Sequence, residues 1–223
     1  MKYVVSDIHG DYERWSEMLN KIELISDDRL IVLGDVIDRG PDGIKIIKEI
    51  MDSKNIKMIL GNHELMMLYA VSTENESYVE DWFNNGGYET AQNFSKESEE
   101  SQEKILNFIR TRRYKARTKT DDGRVFSIVH GWPCESEILN DEIYNCVWTR
   151  PNRTEKPSIA CEGQLIIGHT PVNELYTKRE IKDNGHPRIL YTPYYIDIDC
   201  GCGHHGGCLS ALCLDTMEEF YVL

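Results

Sequence analysis

Gly34-Asp35-Val36-Ile37-Asp38-Arg39-Gly40 follows directly on the apolar run Leu30-Ile31-Val32-Leu33. A short aliphatic run reads as a buried strand, and charged side chains bracketed by glycines read as the turn that ends it. The same pattern recurs outward from this point. Tyr3-Val4-Val5 leads to Asp7-Ile8-His9-Gly10, Met58-Ile59-Leu60 to Gly61-Asn62-His63-Glu64, Val125 to Val129 to His130-Gly131, and Leu165-Ile166-Ile167 to Gly168-His169-Thr170-Pro171. Each strand end combines glycine with an ionisable or metal-ligating side chain.

Between the first two strands Trp15, Met18, Leu19 and Ile22 recur at helical spacing, and Ile44, Ile47 and Met51 do so after Pro41. Strand, helix, strand, helix, strand is the alternation that builds parallel crossovers, with functional groups at the strands' C-terminal ends. Residues 73–120 change character: Tyr78, Trp82 and Phe83, an acidic run at 97–103 and an apolar stripe at 105–109 predict a helical insertion. Segments 165–167, 189–199, 209–214 and 219–222 predict a second, mostly antiparallel sheet. The expected architecture is therefore an α/β protein, a two-sheet α/β sandwich. It forms one domain over residues 1–223 with a helical insertion at about 73–120.

The chain has 223 residues, about one domain's worth with elaborations. Its 25 basic and 38 acidic side chains give a net charge of −13, which argues against non-specific nucleic-acid binding. The longest apolar run, 65–71, is far short of the ~20 residues of a membrane span. A carboxylate at Asp7 interrupts any apolar leader, so a cytoplasmic location is expected. The seven cysteines, all between Cys134 and Cys213, are expected to be reduced thiols.

Carboxylate, imidazole and amide oxygen are donors suited to divalent metals, and the five clusters contain no thiolate. Manganese, with iron or zinc as alternatives, fits better than calcium. Asp7 and His9 are one residue apart, so an extended backbone would turn both toward the same ion.

With the series DxH, GDxxDRG, GNHE, H and GHTP in place, the chain resembles the calcineurin-like metallophosphoesterases. Within them it is similar to the compact bacterial and phage serine/threonine phosphatases of the phosphoprotein phosphatase branch. The branch likeness rests on the stretch from Trp82 to Gly87, on Trp148-Thr149-Arg150, and on Ile198-Asp199-Cys200-Gly201 through Leu212. The resemblance implies two divalent metal ions. Asp7, His9 and Asp35 would hold one, and Asp35 would bridge to a second held by Asn62, His130 and His169. Such a pair would lower the pKa of a bridging water to roughly 7 and deliver hydroxide in line to phosphorus. His63 would be the general acid, oriented by Asp38, and Arg39, Asn62 and Arg150 would bind the phosphoryl oxygens.

The expected function is a dinuclear-metal phosphomonoesterase, a serine/threonine protein phosphatase acting on phosphorylated proteins, peptides or small phosphomonoesters. One alternative is a hydrolase of diadenosine tetraphosphate or another nucleotide, a sister group whose second motif often lacks the aspartate found here at Asp38. Another is a non-catalytic binding module on the same fold.

Two further features stay open. Cys200, Cys202, His204, His205 and Cys208 read either as a structural zinc knuckle or as a glycine-rich turn. The basic run Arg110, Arg112, Arg113, Lys115, Arg117 and Lys119 reads either as a recruitment surface for acidic substrates or as a helix end followed by an edge strand.

Overall fold

Along β1 (Lys2–Val5), Tyr3 and Val5 join one apolar cluster and Val4 another, because successive side chains in a strand face opposite ways. The computed structural model describes residues 1–73, 75–134, 142–158, 161–176 and 185–223, and this alternation organises all of it. On the Tyr3 side pack the helices that link the first strands: α1 (Tyr12–Lys21), between β1 and β2 (Arg29–Val32), and α2 (Gly43–Asp52), which leads to β3 (Ile56–Met58). Asp11 caps α1 by accepting from the Arg14 backbone N–H, and Trp15, Met18, Ile44 and Ile47 are the inward stripes. β1, β2 and β3 are parallel, as the alternation predicts.

α3 (Asn62–Ser72), polar in its first turn and apolar from Leu65 to Val71, follows β3 and is buried through Leu65, Met66, Met67 and Ala70. Next come α4 (Glu76–Asn84), α5 (Tyr88–Ser95) and α6 (Glu99–Arg110), with Trp82, Phe94, Ile105 and Ile109 in the same core. The acidic run finds its reason at α6, where Ser98 caps the helix and Glu99 and Glu100 occupy the first turn, the positive end of the helix dipole. The helical insertion ends earlier than the expected residue 120, because β4 (Lys115–Lys119) is a strand antiparallel to β5 (Val125–Val129). Half of the basic run is this edge strand: Lys115 pairs with Glu142 at 2.7 Å and Arg117 with Glu162, which favours the edge-strand reading.

The second sheet is completed by α7 (Glu142–Trp148), β6 (Gln164–Ile167), the single turn α8 (Val172–Leu175), β7 (Leu190–Tyr191) and β8 (Tyr195–Asp197), in the order β4-β5-β6-β8-β7. The sequence reading of this sheet needs two corrections. Its centre, β5, β6 and β8, is parallel, and only the edge strands β4 and β7 run antiparallel. β9 (Leu209–Cys213) and β10 (Glu219–Val222) belong to the first sheet, where β9 pairs antiparallel with β1, Val5 opposite Ala211. Hydrophobic alternation identifies a strand but carries no information about its neighbour; β9, buried throughout, is suited to a position between the outer helices and the second sheet.

The two sheets pack face to face through Val4, Leu33, Phe126, Ile128, Ile166, Ile196 and Leu212. Among the described residues no helix is long and apolar enough to cross a membrane. All seven cysteines are free thiols.

Candidate active site

The five strand ends meet at one edge of the sandwich, and at three of them the backbone turns left-handed. Asp7, His9, Asp35, Asp38, Arg39 and His169 take φ values of 53°, 50°, 51°, 71°, 66° and 66°. The expectation that an extended backbone aligns Asp7 with His9 is therefore corrected: two left-handed residues do it. Each such non-glycine position costs about 1–3 kcal/mol and persists where surrounding contacts over-determine it. Here His9 N–H donates to the Asp35 carbonyl at 2.9 Å and Gly10 N–H to the Val36 carbonyl at 2.8 Å, lacing the first two strand ends together.

Asp35 sits at the centre. Its Oδ2 lies 3.9 Å from His9 Nε2 and 3.7 Å from His63 Nε2, and its Oδ1 lies 3.3 Å from His130 Nε2. Asp7 Oδ1 is 4.0 Å from His9 Nε2, and Asn62 Oδ1 is 2.9 Å from His130 Nε2. Two donor groups able to hold metal result, His9-Asp35-His63 and Asp35-His130-His169, and they share Asp35. All of these residues are buried.

The rings are oriented by the backbone. His9 Nδ1 faces the Ile37 carbonyl at 3.2 Å, His130 Nδ1 the Leu33 carbonyl at 2.7 Å, and His169 Nε2 the Trp148 carbonyl at 3.0 Å. A nitrogen against a carbonyl must carry the proton, so His9 and His130 turn Nε2 to the site and His169 turns Nδ1. The charges also suit cations. Burial, and then the charge of Asp35, raises the Asp7 carboxyl, while Asp35 is held well below the usual range because the His130 and His63 imidazoles overcome its burial. Burial works against a charged His130, yet Asp35 lifts it to about 9; burial and then His130 push His169 down to about 3. Buried carboxylates with oriented imidazoles and no thiolate are a donor set that fits divalent metal ions.

Beside this cluster His63 Nδ1 meets Asp38 Oδ2 at 2.7 Å. Asp38 is fully buried and held from three directions: Trp82 Nε1 donates to it at 2.9 Å, and its own backbone N–H donates to Thr90 Oγ1 at 3.0 Å. Burial opposes protonation of His63, but the Asp35 charge and the Asp38 hydrogen bond raise its pKa above the ordinary 6.5.

A cavity of about 120 Å³ opens onto these groups and is lined by Asp7, Asp35, Arg39, Asn62, His63 and Arg150, among others. Every site residue expected from the sequence thus lies in or beside one pocket, Arg150 at its rim with Nη1 3.5 Å from Glu174. Sequence reasoning missed the supports. Glu64 accepts the backbone N–H groups of Asp35, Val36 and Gly61 at 2.9, 2.8 and 3.0 Å, joining two strand ends. Its place at the end of Gly61-Asn62-His63-Glu64 was the available signal. Trp82 belongs to a quoted motif, but its partner Asp38 lies 44 positions away. Asn85, Asp199 and His204 also line the cavity. Three side chains of the candidate zinc knuckle turn to separate partners: Cys202 Sγ approaches the Ile8 carbonyl, Cys208 Sγ the Pro187 carbonyl, and His204 faces Arg39. Among the described residues they form no metal-holding group.

Comparison with known proteins places this geometry. A family model described as calcineurin-like phosphoesterase matches residues 3–212. The chain is 39% identical over 84 residues to a symmetrical bis(5'-nucleosyl)-tetraphosphatase of Buchnera aphidicola, covering 36% of this chain and 30% of the relative. It is 34% identical over 107 residues to serine/threonine-protein phosphatase 2 of Salmonella typhimurium, covering 48% and 47%. The matched stretches span about a third to a half of these curated relatives' lengths. Among solved structures, one of a putative diadenosine tetraphosphatase superposes with a TM-score of 0.64 at 16% identity, covering 99% of this chain and 92% of the other. A Saccharomyces cerevisiae protein serine/threonine phosphatase gives 0.62 at 12%, covering 100% and 80%. The relatives weigh more toward the nucleotide alternative than toward the phosphoprotein expectation, while the solved structures show the fold alone. With the family model matched over 210 positions, 3–212, of a chain whose strand ends gather buried aspartates and histidines, the protein belongs to the calcineurin-like phosphoesterase family.

Proposed function

We propose that the chain hydrolyses phosphomonoesters, phosphoserine and phosphothreonine residues of proteins or peptides among them, with two divalent metal ions, manganese first among the candidates. The observation that carries this reading is the buried Asp38-His63 pair beside the metal-binding donors. Asp7, His9 and Asp35 would hold one ion, and Asp35, Asn62, His130 and His169 the other. Bound there, such ions supply Lewis acidity toward phosphoryl oxygens and acidify water to roughly neutral pKa.

The chain's own groups would do the rest. Arg39 and Arg150 present guanidinium forks to the non-bridging oxygens, and Asn62 adds an amide. His63, whose pKa Asp35 and Asp38 raise against its burial, donates its proton to the departing oxygen. That proton matters most for an alkoxide such as serine's, a strong base and poor leaving group. A nucleotide released from a phosphoanhydride is a weak base and needs less help, so a buttressed acid supports the monoester reading.

A second reading, cleavage of symmetrical dinucleoside tetraphosphates, is favoured by the tetraphosphatase relatives. One experiment separates the two: turnover of a phosphoserine peptide, p-nitrophenyl phosphate and diadenosine tetraphosphate, side by side with manganese. Faster turnover of the two monoesters is expected. A diadenosine tetraphosphate kcat/KM exceeding both by about tenfold or more would replace the first reading with the second.

A further inference from the structure

The glycine-rich segment after β8 is a turn that puts His204 in the lining of the pocket. Gly201, Gly203 and Gly206 take φ values of 79°, 81° and 77°, and Cys208 N–H closes the turn on the Cys200 carbonyl at 3.0 Å. It is tied down beside the site: Gly201 N–H donates to Asp199 Oδ1 at 2.8 Å, and Cys202 Sγ lies 3.4 Å from the Ile8 carbonyl. At Gly203 the turn rests on His9, where a Cβ would come within 2.7 Å of the His9 Cβ. The next side chain, His204, is thereby aimed at Arg39, with Nε2 2.5 Å from Arg39 Nη1. Arginine has only donors, so the imidazole Nε2 is the acceptor in this pair.

Arg39 is held at its other points too. Its backbone N–H donates to the Gly86 carbonyl at 3.0 Å, and its Nη2 lies 3.5 Å from His63 Nε2. The guanidinium spans the pocket between the proposed acid and the turn. A planar fork recognises two oxygens of one phosphoryl group only when its rotation is fixed.

We propose that His204 is a positioning residue that fixes the Arg39 fork for a terminal, dianionic phosphoryl group, and so sets the preference for phosphomonoesters over diesters. This deepens the reading of the site given above and rests on it. His204 acts through Arg39 and takes no part in bond breaking.

The test uses the manganese-loaded protein, His204→Ala and His204→Gln. Glutamine is the conservative variant because its amide oxygen can accept from Arg39. Two readouts are needed: KM and kcat on p-nitrophenyl phosphate and on bis-p-nitrophenyl phosphate, and the Kd of inorganic phosphate by calorimetry. His204→Ala should raise the monoester KM and the phosphate Kd by about fivefold to tenfold, as expected for one lost charge-assisted hydrogen bond. Its kcat and its diester KM should stay within about twofold, and His204→Gln should recover most of the phosphate affinity. Unchanged phosphate affinity in His204→Ala, or an equal loss on both esters that glutamine does not repair, overturns the positioning role. Wild-type protein that binds phosphate but turns over no monoester would instead reject the functional reading, and the phosphate arm would still decide the role of His204.

Discussion

At the scale of a single side chain, the charge of Asp38 distinguishes His63 from an ordinary buried imidazole. Burial alone would keep the ring neutral; Asp35 and Asp38 raise its pKa, so the acid form persists to higher pH. Activity that needs the proton is therefore lost as pH rises through that raised value. Asp38→Asn keeps an acceptor for Nδ1 but removes the charge, so the alkaline limb of the kcat profile should move to lower pH. The same variant should lose about 10² in kcat on a phosphoserine peptide. It should lose much less on p-nitrophenyl phosphate, whose leaving group departs without a proton. Equal losses on the two substrates, with an unmoved limb, would show that His63 donates no proton. His63 was legible in the sequence from its place after Asn62; the Trp82 and Thr90 contacts to Asp38 were not, because they bridge 44 and 52 positions through packing.

Among the elements, the join between β2 and the start of α3 is a direct backbone contact. Gly34 has φ of 94°, and a Cβ there would lie 2.5 Å from the Gly61 Cα and N. Both glycines sit in the motifs that carry ligating residues, so the backbones must touch for Asp35 and Asn62 to share a site. Glu64 then accepts N–H groups from both sides of the contact. Gly34→Ala combines an unfavourable φ with a backbone clash that no rotamer relieves, and it should cost about 3 kcal/mol or more of unfolding free energy. Urea unfolding measures this; a loss under about 1 kcal/mol would mean that the two strand ends can separate without harm. The alternation of β1, α1, β2, α2 and β3 was readable from periodicity. The partner of β9 was not, since its apolar run is equally consistent with either sheet.

For the molecule as a whole, the strand ends gather the buried carboxylates of Asp7, Asp35 and Asp199 into one region, against a net charge of −13. Coulomb repulsion among them is relieved by divalent ions, and ions that bind only the folded chain stabilise it, by about 2.7 kcal/mol at a hundredfold excess over Kd. Chelation with EDTA should therefore abolish hydrolysis and also lower Tm by several degrees, and added manganese should restore both. A Tm indifferent to chelator and metal, with full activity in metal-free protein, would remove the dinuclear reading.

The sequence by itself determined the alternating strands and helices, the glycine-flanked motifs and the candidate donor side chains, because these are written in short-range periodicity and residue chemistry. Only the tertiary structure decided which sheet takes β9 and β10, how left-handed backbone at Asp7, His9 and Asp35 aims the donors, and that His204 meets Arg39. Those features depend on contacts between segments far apart in the chain, where packing selects a partner and compensates strain that local preference alone would avoid.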